Sequence, residues 1–102
     1  MAFTDAQQYK IPRHIVQPGG VNIEAITADK VLTYKDAQYQ RLDCSVGLNV
    51  DLPELKDGAM IVINCQGSAL QVRDQDSSNL KLLSVGEGAM FCCDGVNWKQ
   101  FL

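Results

Sequence analysis

Two adjacent cysteines, Cys92 and Cys93, stand beside Asp94 and just before Trp98, the only tryptophan, in the run GAMFCCDGVNW (88–98). Two thiols and a carboxylate are the raw material of a metal or redox centre. Their spacing argues against both. Structural zinc draws converging thiolates from a C-x₂₋₄-C pattern, whereas neighbours on a strand point to opposite faces of the sheet. The only histidine, His14, lies far upstream. The Cys-x-x-Cys pattern of dithiol oxidoreductases is missing, and a disulfide between adjacent residues needs strained geometry. The expectation is one cysteine in the core and one facing a second sheet or a subunit. Asp94-Gly95 reads as a type I′ hairpin turn, and Trp98 as a large half-buried aromatic.

Other chemistry fares no better. A nucleophilic triad needs a positioned base, and His14 has no flanking signature. Asp43, Asp51, Asp57, Asp74, Asp76 and Glu87 fall on wet strand faces or in turns. Asp74–Asn79 (DQDSSN) is oxygen-rich enough to touch calcium, yet it lacks the twelve-residue EF-hand pattern. No Gly-rich phosphate loop with lysine is present. The reading is that the protein is not an enzyme and carries no catalytic residue, cofactor or metal.

The elements that place these residues are strands. With 102 residues, 46% apolar and 21% charged, the chain has the composition of one globular domain. A net charge of −3 and the lack of a Lys/Arg-rich run argue against direct nucleic-acid binding. No segment has the roughly 18 consecutive apolar residues of a membrane span, and no secretory signal pattern opens the chain. Reduced thiols in a cytoplasm are therefore expected.

Leu42, Cys44, Val46, Leu48, Val50 and Leu52 alternate with Asp43, Ser45, Gly47, Asn49 and Asp51. That period of 2 predicts a long strand with one wet face, which Pro53 ends. Val31–Tyr34, Ala59–Cys65, Ala69–Arg73, Leu80–Val85, Ala89–Cys93 and Val96–Phe101 read as further strands. Lys56-Asp57-Gly58, Gln66-Gly67-Ser68 and Gly86-Glu87-Gly88 read as turns between them. Tyr34–Arg41 is the best candidate for a short helix. Asp57-Gly58-Ala59-Met60 is echoed thirty residues later by Glu87-Gly88-Ala89-Met90. The fold class expected is all-β: a single antiparallel β-sandwich or barrel, jelly-roll-like, over 21–102. Residues 1–20 read as an extended N-terminal arm, since Pro12, Pro18, Gly19 and Gly20 break any period while Phe3, Tyr9, Ile11, Ile15 and Val16 remain apolar.

The order of a Val31–Tyr34 strand, a long alternating strand ending Val50-Asp51-Leu52-Pro53, Asp57-Gly58 before Met60–Asn64, Ala69–Val72, and a closing Asp94-Gly95-Val96-Asn97-Trp98 resembles small β-domains of tailed-bacteriophage virion proteins. It covers about residues 31–101 and rests on turn grammar. The resemblance implies a homotrimer. A short arm before a single β-domain makes it most similar to capsid decoration (cement) proteins, which bind the assembled major capsid protein on the capsid exterior, after assembly in the host cytoplasm, and stabilise the shell. The arm's Phe3, Tyr9, Ile11, Ile15 and Val16 are then the expected capsid- or subunit-binding residues. The alternative is a short tail-fibre or receptor- and glycan-binding β-module that stacks sugars on Tyr34, Tyr39 or Trp98.

Overall fold

The computed structural model describes residues 20–101, and its nine strands alternate between two sheets with no helix among the described residues. The chain enters as β1 (Val21–Ile26), crosses to the second sheet as β2 (Lys30–Val31), and returns as β3 (Tyr39–Cys44) beside β1. It crosses again as β4 (Leu48–Asp51), returns as β5 (Met60–Gln66), and crosses as β6 (Leu70–Arg73). Because the chain always comes back in the same direction, β1, β3 and β5 are parallel neighbours, as are β2, β4 and β6. The result is three flattened coils. Register partners lie 18 residues apart between β1 and β3 (Val21↔Tyr39) and 22 apart between β4 and β6 (Leu48↔Leu70).

The direction reverses at Asp74–Ser78. There β7 (Asn79–Leu83) runs antiparallel to β6, β8 (Gly88–Cys93) antiparallel to β5, and β9 (Trp98–Gln100) antiparallel to β8. The final orders are β9-β8-β5-β3-β1 and β2-β4-β6-β7. The all-β expectation stands. Its antiparallel part is corrected, because both sheets are mixed and their parallel pairs come from the crossings. The arm expected at 1–20 lies outside the described residues, Gly20 excepted.

Alternation selects the core. Leu42 and Cys44 of β3, Ile61, Ile63 and Cys65 of β5, and Ala89, Phe91 and Cys93 of β8 all point between the sheets. They meet Val50, Leu70, Val72 and Leu83 from the other sheet in one cluster. The expected eleven-residue strand is broken at Ser45–Gly47. Its first half belongs to one sheet and its second to the other, and Val46 turns outward at the corner. Tyr34–Arg41 is not helical. It is a turn held by the Asp36 carboxylate, which accepts from the Thr33 amide at 2.8 Å, and it runs into β3.

Gly67 shows how tight a corner is. Its φ is +81°, and a Cβ there would collide with the Asp43 carboxylate and the Cys44 carbonyl. Gly47, at the preceding corner, has open space around it. Gly67→Ala should therefore lower the urea midpoint sharply and Gly47→Ala little. Phe91, fully buried on β8 between β5 and β9, should cost about 3–5 kcal/mol on truncation to alanine. Equilibrium denaturation checks all three.

Candidate functional site

The four thiols separate by face. Cys44, Cys65 and Cys93 are buried and Cys92 is half-buried on the outside, so the adjacent pair does point to opposite faces. The Cys93 sulfur accepts from the amides of Lys56 and Gly95 at 3.3 and 3.4 Å, which ties the β8–β9 hairpin to the preceding loop. Burial pushes the Cys44 thiol up to about 11, and the neighbouring Cys65 adds to the shift. Cys44 is therefore a protonated, unreactive core group at neutral pH. No three His, Cys, Asp or Glu side chains converge as a metal site among the described residues.

In the Asp74–Asn79 loop, the two aspartates accept hydrogen bonds from the loop itself. One Asp74 carboxylate oxygen accepts from the amides of Asp76 and Ser78 at 2.8 and 2.9 Å. Ser77, at φ +63°, donates its hydroxyl to Asp51, whose other oxygen takes the Arg73 guanidinium at 2.5 Å. At the other hairpin, Gly95 alone has positive φ, so the turn is not the expected type I′, which needs it at both central residues. Asp94 accepts from the amides of Asn97 and Val96 at 2.8 and 2.9 Å, which holds its carboxyl below the ordinary aspartate range.

Trp98 is not a stacking surface. It is 3% exposed, and its indole N–H donates to the Pro53 carbonyl at 2.8 Å. Tyr34 remains half-exposed, with the Lys56 ammonium 5.2 Å from its ring centre. It borders an open groove of about 520 Å³ with Val31, Leu52, Glu54, Gln75 and Asp76. Inside that groove's lining, the Gln75 side-chain carbonyl is buried without a hydrogen-bond partner.

The most unusual surface is the outer face of the five-stranded sheet. Register aligns Val21 with Tyr39, Tyr39 with Val62, and Val62 with Met90. Phe101 extends the line, because its amide donates to the Met90 carbonyl. One apolar row thus crosses all five strands, with Val21 60% and Phe101 65% exposed. The flanking rows are mixed, Ile23–Arg41–Asn64 on one side and Met60–Cys92–Lys99 on the other, with Ile23 and Met60 themselves exposed.

Strand β1 is inverted to serve this face. Val21 and Ile23 point out, while Asn22 and Glu24 face the interior end of the stack. There Asn22 donates to Gln40 at 2.7 Å and to Glu24 at 2.9 Å, and Lys30 pairs with Glu24 at 3.1 Å. The outer face of the smaller sheet mixes paired polar groups, Asn49 on Asp29 and Asp51 on Arg73, with the exposed Val31 and Leu82.

No family model, curated protein or solved structure matches this chain.

The residues expected to bind capsid or subunit, Phe3, Tyr9, Ile11, Ile15 and Val16, lie outside the described residues. Sequence reading missed the apolar row. The alternation of Val21, Ile23 and Ala25 with Asn22 and Glu24 was visible, but only register shows that the apolar members face outward beside Tyr39 and Val62.

Two outcomes follow. A thiol reagent at pH 8 should modify Cys92 first, and the other three only when the protein unfolds. For Asp94 the folded pKa is depressed, so its contribution is complete above the unfolded value of about 4. It disappears as pH falls through the folded value. Asp94→Asn should therefore lower the Tm at pH 7 and flatten its loss on acidification.

Proposed function

We propose that this chain is a structural virion protein, a capsid decoration protein that binds the assembled capsid of a tailed bacteriophage from outside as a homotrimer and stabilises it. The observation that carries the reading is the contrast between the two outer faces. One mixes paired polar groups with the separate apolar side chains Val31 and Leu82, and the other carries an apolar row continuous across five strands that no described segment covers. A small two-sheet unit with one unfinished face suits a lattice component. The strand and turn order that resembles phage virion β-domains points the same way.

The mechanism is linkage. A protein that binds the assembled lattice and not its free subunits stabilises the lattice by mass action. Three linked copies gain avidity from individually weak contacts. In this reading the major capsid protein is the partner. Phe3, Tyr9, Ile11, Ile15 and Val16 supply apolar anchors, the residue types that dominate interface energy. The protein is not an enzyme in this account and acts through neither cofactor, membrane nor nucleic acid.

The groove beside Tyr34 favours a second reading, a short tail-fibre or glycan-binding module. Its volume falls in the usual range for small-ligand sites, and the unpartnered Gln75 carbonyl would accept a sugar hydroxyl. Co-sedimentation with capsids stripped of decoration separates the two. Decoration predicts saturable binding at many copies per particle. It also predicts that deleting residues 1–17 leaves the domain folded and abolishes binding. A truncated chain that binds as well as the full one removes the arm from the mechanism. Saturable binding of a glycan, lost in Gln75→Leu, would favour the second reading.

A further inference from the structure

We propose that the groove beside Tyr34 is the docking site for the Arg13 side chain of the same chain, which tethers the segment before Gly20 to the domain. The proposal stands apart from the capsid reading, because it concerns where that segment rests in the free protein.

The chemistry of the lining selects the occupant. Its side-chain donors are spent. The Tyr34 hydroxyl donates to the Glu54 carbonyl, the Gln75 amide nitrogen to Asp76 at 3.2 Å, and the Thr33 hydroxyl to Asp36 at 3.4 Å. Acceptors are left over. The Gln75 carbonyl is shielded from solvent without a partner, and the carboxylates of Glu54 and Asp76 are exposed at the rim. No basic residue lines the groove. Lys56 stands over the Tyr34 ring, and Arg73 is held by Asp51. A shielded acceptor is costly to leave unmade, and a set of acceptors without donors suits a ligand that only donates. A guanidinium carries five N–H donors and no acceptor. Its planar fork spans separated acceptors, which the compact ammonium of Lys10 does not. Val31, Leu52 and Tyr34 offer the aliphatic stem an apolar wall.

Reach and charge name the chain's own arginine. The Gly20 carbonyl accepts from the Tyr39 amide, so β1 begins where the Tyr34–Gln38 segment ends. Five residues separate Tyr34 from Tyr39, a span of at most about 18 Å, while the seven from Gly20 back to Arg13 extend up to about 25 Å. Arg13 is therefore within reach of the groove at the corner where the chain enters. Residues 1–19 hold Lys10 and Arg13 against Asp5 alone, so they are positive and the rest of the chain is more negative than the overall −3. A cationic segment is thus joined at short range to a groove with an acidic rim.

Trypsin reads the contact directly, since it must take the Arg13 side chain into its own pocket to cut the Arg13–His14 bond. The full chain is digested briefly under reducing conditions, and cleavage after Arg13 is followed by mass spectrometry. Glu54→Gln combined with Asp76→Asn removes the rim charge at two exposed positions, and cleavage should accelerate at least tenfold with an unchanged far-UV spectrum. Asp43→Asn, an exposed carboxylate on the larger sheet, should leave the rate at the wild-type value. A hundredfold dilution should also leave it unchanged, as a contact within one chain requires. In side-chain NMR spectra, Arg13→Gln should shift the Gln75 amide and the Tyr34 ring, and Lys10→Gln should not. Equal cleavage in the wild type and the double variant overturns the proposal. Protection lost on dilution assigns the groove to a second copy and also overturns it, as do Gln75 and Tyr34 signals that follow Lys10 and ignore Arg13. No capsid enters these assays, so a docked Arg13 in a chain that ignores capsids defeats the decoration reading alone, and a freely cleaved Arg13 in a capsid-binding chain defeats this site alone.

Discussion

The structure depends on the chain changing sheets at almost every corner. That single constraint makes successive strands of one sheet parallel and puts the core between the two sheets. Each strand therefore needs an apolar residue at every second position. Leu42 and Cys44, Ile61, Ile63 and Cys65, and Ala89, Phe91 and Cys93 meet that need in the larger sheet, and Val50, Leu70, Val72 and Leu83 meet it in the smaller. The corners are where backbone geometry is most demanding. Gly67 sits against the end of β3 with no room for a side chain, so two successive coils are in direct contact through its missing Cβ.

The return of the chain after Asp74 sets β8 beside β5. Ile61 pairs with Phe91, thirty residues further on, and the same offset separates Asp57-Gly58-Ala59-Met60 from Glu87-Gly88-Ala89-Met90. Ala59 and Ala89 are both buried where each strand begins, and both lie against the partner strand. The Cys93 amide donates to the Ala59 carbonyl, and Ala89 is in register with Ile63. The echo in the sequence is thus a packing relation between β5 and β8 within one sheet.

Strand identity was largely legible and strand partnership was not. The apolar alternation located β5, β6, β7 and β8 to within a residue or two, and it put Cys92 and Cys93 on opposite faces. Alternation reports which side a residue faces and is silent on which strand lies next to it. The signals Lys56-Asp57-Gly58, Gln66-Gly67-Ser68 and Gly86-Glu87-Gly88 look like hairpin turns because glycine serves a hairpin and a corner equally well. In the structure all three lie on crossings between sheets, and only Asp74–Ser78 and Asp94–Asn97 reverse the chain within one. Reading corners as hairpins yields an antiparallel sandwich. Reading them as crossings yields parallel coils. The exposed aromatics were misjudged for a related reason, since the partner that buries Trp98 is the Pro53 carbonyl, forty-five residues away.

The two ends of the larger sheet are finished differently, and this gives the molecule its sidedness. At the first coil, Ile26 joins the core while the other interior positions of β1, Asn22 and Glu24, are polar and partnered by Gln40 and Lys30, so this end of the core closes in a hydrogen-bonded cap. Buried Gln40 is central to that cap, accepting from Asn22 while donating to the Ala37 carbonyl at 2.8 Å. Buried polar groups are tolerated when every member is partnered, and these are. With Asn22 and Glu24 spent on the cap, β1 turns Val21 and Ile23 outward, and Val21 falls in line with Tyr39, Val62 and Met90. The same alternation that closes one end of the core therefore lays down the start of the outer row. Terminal coils of stacked folds ordinarily combine a polar cap with a soluble outer surface. This chain keeps the cap and lays an apolar row across the outer face of its larger sheet.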